Sequence, residues 1–281
     1  MVRVIKPGFY STIQDLGRLG YQDYGVPISG AMDQYSSRFA NAVLNNKPEA
    51  ALLEITMTGP ILEFQIETYI CISGADMAPK LNASPIKMNK VVHISPNDLL
   101  SFGGLTTGFR AYLGVFGGFQ TGLCLDSRSM FNSITSTVKI EANQLLPILT
   151  PKVKFPNVNS SLKFKSEIFN SSCIEVFKGP EFDLLNSSQQ ERLFQPFRVS
   201  GSNNRMGYQL EELLENNLPS ILTSPVMPGT VQLTPSGSLI ILMRDGQTTG
   251  GYPRILQLKE SAINFLAQTY KGSLLQFKLV D

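Results

Sequence analysis

Short apolar runs rich in β-branched residues recur along this chain, each ended within a few residues by a turn signal. They are 51–56, 69–73, 91–94, 111–116, 174–177, 230–233, 239–243 and 274–280. Thr58-Gly-Pro60, Ser95-Pro-Asn-Asp98, Gly103-Gly104, Gly117-Gly118 and Pro235-Ser-Gly237 break the pattern between them. Runs of this length and spacing read as strands of a sandwich or barrel, because glycine, proline and asparagine supply the backbone angles that tight turns need. The fold class is therefore mainly β.

Helical signals are few. Residues 33–44 place Tyr35, Phe39, Val43 and Leu44 on one face, with Asn45-Asn46 as a stop. Ser188-Gln-Gln-Glu191 reads as a capping box opening a short helix that ends at Pro196. A third helix is expected over 261–268, closed by Gly272. Between 149 and 172 the texture changes: two prolines, four lysines and several Ser and Asn residues follow without periodicity. This gives an N-terminal β domain over 1–149, a linker over 150–172 and a C-terminal β domain over 173–281. Gly17-Arg-Leu-Gly-Tyr21 is echoed by Arg205-Met-Gly-Tyr208, and Gly59-Pro60 by Gly179-Pro180, as two related domains would require.

At 281 residues, with 16% charged residues and a net charge of +2, the chain has no basic run for nucleic acid or a membrane surface. Neither type of partner is expected. No stretch approaches 18 apolar residues. Cys71, Cys124 and Cys173 are too scattered for a metal or redox motif and are expected as buried, reduced thiols of a cytoplasmic protein. The lone histidine, His93, sits in a strand pattern without a partner nearby in sequence. A Ser-His-Asp triad, a zinc set, a P-loop and a G-x-G-x-x-G fingerprint are all missing. No metal site is expected.

What remains is chemistry of carboxylates, guanidinium groups, hydroxyls and amides, gathered in two glycine-rich stretches. Asp245-Gly-Gln-Thr-Thr-Gly-Gly-Tyr-Pro253 follows a buried strand, a frequent way to build a site on a rigid scaffold. Residues 7–33 hold Asp15, Arg18, Asp23 and Asp33 among five glycines and two prolines, and read as an ordered loop system rather than a plain helix or strand. Arginines beside Gly-rich turns suit carboxylate or phosphate groups; Arg18, Arg110, Arg128 and Arg205 qualify. Asp15, Asp33, Asp76 and Asp245 are acid/base or orienting candidates, with loop capping as the structural alternative.

Several motifs in order carry a resemblance over nearly the whole chain: Thr12-Ile-Gln-Asp-Leu-Gly-Arg-Leu-Gly-Tyr21, Gly25-Val-Pro-Ile-Ser-Gly-Ala-Met-Asp33, Ser73-Gly-Ala-Asp76, Leu81-Asn82, Arg205-Met-Gly-Tyr208 and Gln247-Thr-Thr-Gly-Gly-Tyr-Pro253. The chain resembles the biotin-dependent carboxyltransferase family that includes the 5-oxoprolinase C subunit and allophanate hydrolase subunit 2, one member of which antagonises a sporulation-kinase inhibitor. Two departures stand in loops: Asn203-Asn204 replaces a Ser-Asp pair, and 130–142 lacks glycine. The resemblance implies two tandem cyclophilin-like β-barrel domains, a subunit-B-like partner, a subunit-A-like partner and a small-molecule substrate. It implies ATP used by the complex and no biotin attached to this chain. The implied activity is ATP-dependent opening of 5-oxoproline to glutamate. The alternatives are a non-catalytic regulatory partner and the carboxyltransferase half of a urea carboxylase-like enzyme. The expected catalytic set is Asp15, Arg18, Arg205 and Asp245. The expected substrate-binding set is Asp33, Asp76, Asn82, Tyr208, Gln247, Thr248, Thr249, Gly250, Gly251 and Tyr252.

Overall fold

The computed structural model describes all residues except 152–154, 156–161, 170 and 281. The chain divides into two compact units: Met1–Arg18 with Asp33–Phe169, and Leu19–Met32 with Asn170–Asp281. The short segment 19–32 thus belongs with the C-terminal part, whereas sequence reading kept it with the N-terminal part. Part of the linker read over 150–172, residues 152–154, 156–161 and 170, lies outside the described residues. Of its described part, the Phe155 N–H donates to the Tyr69 hydroxyl at 3.1 Å, and the Phe164 ring meets Phe39 edge-on, 5.0 Å between centroids. These residues pack on the first unit.

The first unit holds two sheets. One has strands in the order Leu145–Leu146, Val2–Lys6, Ile61–Phe64, Leu99–Ser101, Lys80–Leu81 and Ser84–Pro85. The other runs Tyr10–Gln14, Leu52–Thr56, Thr107–Val115, Thr68–Asp76 and Val92–Ile94. Every residue of Leu52–Thr56 is buried, including the polar Glu54 and Thr56 that alternate with Leu53 and Ile55. Val2, Val4, Ile13, Leu53, Phe64, Ile70 and Leu113 belong to one core with almost no exposed surface. Each contributes on the order of 1.5–3 kcal/mol by leaving water. Tyr10–Gln14 is a strand inside the stretch that sequence reading took for loop; its β-branched Thr12-Ile13 pair with Glu54-Leu53. The helix Gln34–Val43 packs on strands Thr68–Asp76 and Thr107–Val115. Asp33 caps it, accepting from the Ser36 N–H at 3.0 Å.

The second unit is a closed barrel in the order Cys173–Lys178, Arg254–Leu258, Thr230–Leu233, Leu239–Leu242, Gly207–Leu210, Phe197–Asn203 and Leu274–Leu279. Closure removes the exposed edges of an open sheet. The helix Ser187–Leu193 is capped by Asn186, not by Ser188 as the sequence suggested. The Asn186 side chain accepts from the Gln189 N–H at 2.9 Å while Gln189 accepts from the Asn186 N–H at 2.8 Å. The helix Glu260–Leu266 packs against Cys173–Lys178. Among the described residues no helix is long and apolar enough to cross a membrane. All three cysteines are free. Cys71 is buried, which pushes its thiol up to about 12, but Cys124 is only half-buried and Cys173 is exposed, contrary to the expectation of three buried thiols.

The two Gly-Pro echoes do not occupy equivalent places. Gly59-Pro60 leads into a strand and Gly179-Pro180 leaves one. Both glycines are required by close approach: a Cβ at Gly179 would lie 2.1 Å from the Arg254 carbonyl oxygen, and one at Gly59 would overlap the Phe102 ring. Gly179→Ala must displace backbone and is expected to cost about 2–3 kcal/mol in urea unfolding, whereas Gly104→Ala, with open space around it, should be near neutral.

Beside Gly179, Glu181 accepts from Arg254 Nε at 3.0 Å, Nη2 at 2.8 Å and its backbone N–H at 2.8 Å. The Arg254 side-chain hydrogen bonds hold the Glu181 carboxyl below its usual value, against an opposing effect of burial. A carboxyl lowered on folding stabilises fully above its unfolded value, near 4.5, and loses that contribution as pH falls through the folded one. Glu181→Gln should therefore cost about 2 kcal/mol at neutral pH, with the gap to the parent closing in thermal melts run below that window.

Candidate functional site

In the barrel unit, strand Leu239–Leu242 runs into a tight turn that carries Asp245. The Asp245 N–H donates to the Arg205 carbonyl at 2.8 Å, and Arg205 returns a bidentate pair, Nε to Oδ2 at 2.7 Å and Nη2 to Oδ1 at 3.0 Å. Both residues are buried. The same Nη2 donates to the Gly30 carbonyl at 2.7 Å, and the Ser29 N–H donates to the Arg244 carbonyl at 2.8 Å. These two bonds fasten segment 19–32 to the barrel. The fork that suits a substrate carboxylate is thus engaged by an internal one.

The residues after Asp245 form an accessible ribbon. Thr249–Gly250 pairs with Ser224–Pro225, and the Val226 N–H donates to the Thr248 carbonyl. Gln247 and Thr249 are exposed, Thr248 is half-buried and Tyr252 keeps 40% of its surface in water. Gln247 Nε2 donates to Oε1 of buried Gln232 at 3.3 Å. A Cβ at Gly250 would meet the end of the Gln232 side chain, Nε2 at 2.4 Å, so that side chain would have to shift; Gly251 has no such neighbour. Tyr208 is fully buried, its hydroxyl 3.4 Å from the Thr269 carbonyl, and faces the barrel core rather than the ribbon.

The other candidates lie in the first unit. Asp15 gathers four donors: the Gly17 N–H at 2.8 Å, the Ser127 hydroxyl at 2.7 Å, the Ser129 hydroxyl at 2.6 Å and the Arg128 N–H at 2.6 Å. Arg18 is fully buried and donates to the Ser129 carbonyl, so Asp15 and Arg18 meet the same short segment. Asp76 accepts from the Ala78 N–H at 2.8 Å, and Asn82 bridges the Asp98 carboxylate and the Leu99 N–H. Both close turns. Asp33 is a helix cap, and its N–H donates to the Tyr112 hydroxyl at 2.7 Å. Tyr112 is buried beside Glu54, Asp33 and Arg110. Burial first, then the two carboxylates, push its phenol far above the usual value, so it stays neutral. His93 makes an exposed contact of 2.8 Å with Glu67.

A groove of about 550 Å³ opens beside Asp15, bordered by Asn46, Lys47, Phe116, Gln120 and Arg128, and Gln120, Leu123 and Arg128 also line an adjoining one of about 390 Å³. Lys47 and Gln120 come from separate loops without a shared motif, so sequence reading did not single them out. Arg128 was visible as an arginine, and its two flanking serines are the signal that it is clamped. Arg205 and Asp245 are joined; Gln247, Thr248, Thr249 and Tyr252 share the ribbon; Asp15 and Arg18 share the 127–129 segment; Asp76 and Asn82 stand apart from all of these.

Residues 24–279 match the carboxyltransferase domain family, subdomains A and B. The C subunit of 5-oxoprolinase from Escherichia coli is 29% identical over 99% of this chain and 90% of its own length. The urea amidolyase of Lachancea kluyveri is 46% identical over 46% of this chain, which is 7% of that protein. The crystal structure of the Kluyveromyces lactis urea amidolyase superposes on the whole chain with a TM-score of 0.87 at 27% identity, the chain spanning 19% of it. The motifs, the mainly β architecture and the family match over most of the sequence agree: this chain belongs to the carboxyltransferase domain family, subdomains A and B.

Proposed function

We propose that the chain is the C subunit of an ATP-dependent 5-oxoprolinase complex, acting with subunit-A-like and subunit-B-like partners in the cytoplasm. The observation that carries this reading is the near end-to-end sequence match to a relative named as that subunit. A five-membered lactam resists hydrolysis, and ATP would activate it by phosphorylating its amide oxygen. The charge balance of the first unit argues for the nucleotide lying on a partner. Lys47 and Arg128 at the groove face Asp15, Glu49 and Asp126, a poor setting for a triphosphate. This chain would bind and orient the lactam and exclude water, with the Gln247–Tyr252 ribbon offering donors and acceptors to substrate or partner. The Arg205–Asp245 pair holds that ribbon in place.

A second reading is favoured by the higher local identity to urea amidolyase. In it the chain is the carboxyltransferase half of a biotin enzyme, receiving a carboxyl group from biotin carried on another segment. Co-expression with each partner set, followed by assays of 5-oxoproline-dependent and urea-dependent ATP hydrolysis, separates the two. The 5-oxoprolinase reading requires ADP release with 5-oxoproline, an absence of response to urea, and no turnover by the purified chain alone. Robust ATP hydrolysis by the single chain would sink the assignment of the nucleotide to a partner.

Arg205→Lys keeps a cation beside Asp245 and loses the fork to Asp245 and Gly30. It should lower unfolding free energy by about 1–2 kcal/mol, and Arg205→Ala by about 3–5 kcal/mol, because the latter strands a buried carboxylate. If Arg205 orients the ribbon, Arg205→Lys also reduces kcat of the assembled complex per folded molecule. A folded Arg205→Lys protein with parental kcat limits Arg205 to structure.

A further inference from the structure

We propose that Arg128 and Gln120 form a binding site for a small monocarboxylate that carries an N–H on the atom next to the carboxylate-bearing carbon. The first observation is how Arg128 is held. Its own N–H and the hydroxyls of Ser127 and Ser129 all donate to the Asp15 carboxylate, and the Ser129 hydroxyl accepts from the Asp15 N–H at 3.1 Å. Both serines are buried. The backbone under Arg128 is therefore fixed from three sides, while its half-buried side chain borders both grooves. Among the described residues its guanidinium meets one side-chain acceptor, Gln120 Oε1, at 3.5 Å, too long for a strong hydrogen bond.

The second observation is the orientation of Gln120. Its Nε2 donates to the carbonyls of Gly117 at 2.8 Å and Gly118 at 3.0 Å. Both glycines have positive φ, +71° and +76°, which is how two successive carbonyls come to serve one amide. Two acceptors on the nitrogen fix which end is which, so the oxygen is turned toward Arg128. A planar donor fork and an outward acceptor thus stand 3.5 Å apart at the rim of a groove.

That pair selects its ligand. The fork takes a carboxylate in bidentate fashion. The amide oxygen takes an N–H one bond removed from the carbon that bears it, and Phe116 and Leu123 offer apolar surface to a small ring. Charge excludes a dianion: the Asp15 carboxylate is already saturated with donors, and Glu49 and Asp126 stand at the same groove against Lys47. A phosphate would meet those carboxylates, whereas a single negative charge is matched by Arg128 alone. 5-Oxoproline meets every condition. The choice of that compound rests on the 5-oxoprolinase reading; the site itself does not.

The test is calorimetric titration of the full chain with 5-oxo-L-proline and with 2-pyrrolidinone, the same lactam without the carboxylate. Saturable binding of the acid is expected, at least tenfold tighter than the pyrrolidinone. Arg128→Gln should weaken the acid about tenfold, or ~1.4 kcal/mol, and leave the pyrrolidinone unchanged. Gln120→Leu should weaken both ligands, with thermal melts confirming that each variant is folded. No saturable binding of the acid, or equal binding by parent and folded Arg128→Gln, overturns the site. In the assembled complex, a KM for 5-oxoproline unmoved by Arg128→Gln refutes the site while the 5-oxoprolinase reading stands. A complex inactive on 5-oxoproline, made from a chain that binds it through Arg128, refutes that reading and supports the site.

Discussion

A guanidinium taken out of water must find an anion and enough acceptors, or the structure around it does not persist. In the barrel unit that requirement is met by Asp245 from a turn after one strand and by the Gly30 carbonyl from a segment 175 residues away. The bidentate geometry sets the orientation of the 243–246 turn, and the turn sets where the Gln247–Tyr252 ribbon begins. The carbonyl contact sets where segment 19–32 lies on the barrel. In the first unit a carboxylate does the converse: Asp15 collects donors from Gly17, Ser127, Arg128 and Ser129 and so fixes a loop that has no regular secondary structure. In both units one charged group, the buried Arg205 in one and the half-buried Asp15 in the other, orders a loop.

Strands with strong β-branched runs, such as Thr230–Leu233 and Leu239–Leu242, were legible in the sequence because burial on the barrel wall selects those residues. Tyr10–Gln14 and Arg254–Leu258 were not. One is embedded among glycines and the other carries Arg254 and Gln257, whose polar ends serve Glu181 and Thr230. The helix beginning at Ser187 was seen, but its cap was misplaced because Asn186 and Ser188 offer the same chemistry and only the paired bonds with Gln189 decide between them. Asp and Asn side chains posed the harder problem. Asp33 and Asp76, singled out as carboxylates, and Asn82, expected from the resemblance, are each bonded to the turn or helix end beside them, as Asx side chains are. The groove around Arg128 draws on loops near 47, 120 and 128 that touch only after folding.

The family match and the local chemistry answer different questions. The same domain recurs in relatives of very different length, as a chain of similar size in one and as a small fraction of another. A scaffold shared in this way does not set the reaction; the groups presented on it do. On this chain the groups presented include the amide and hydroxyls of the Gln247–Tyr252 ribbon and the guanidinium of Arg128 at its groove.

The barrel's first strand, Cys173–Lys178, pairs in parallel with its last, Leu274–Leu279. The wall therefore stays open until that last strand leaves the ribosome. By then every strand of the first unit has already emerged. Segment 19–32 belongs to the late-forming barrel although it is made long before it, and its anchors, Arg205 and Arg244, appear long afterwards. Nascent chains thus hold an early strap in waiting, and a truncation that removes the last strand would release it along with the barrel.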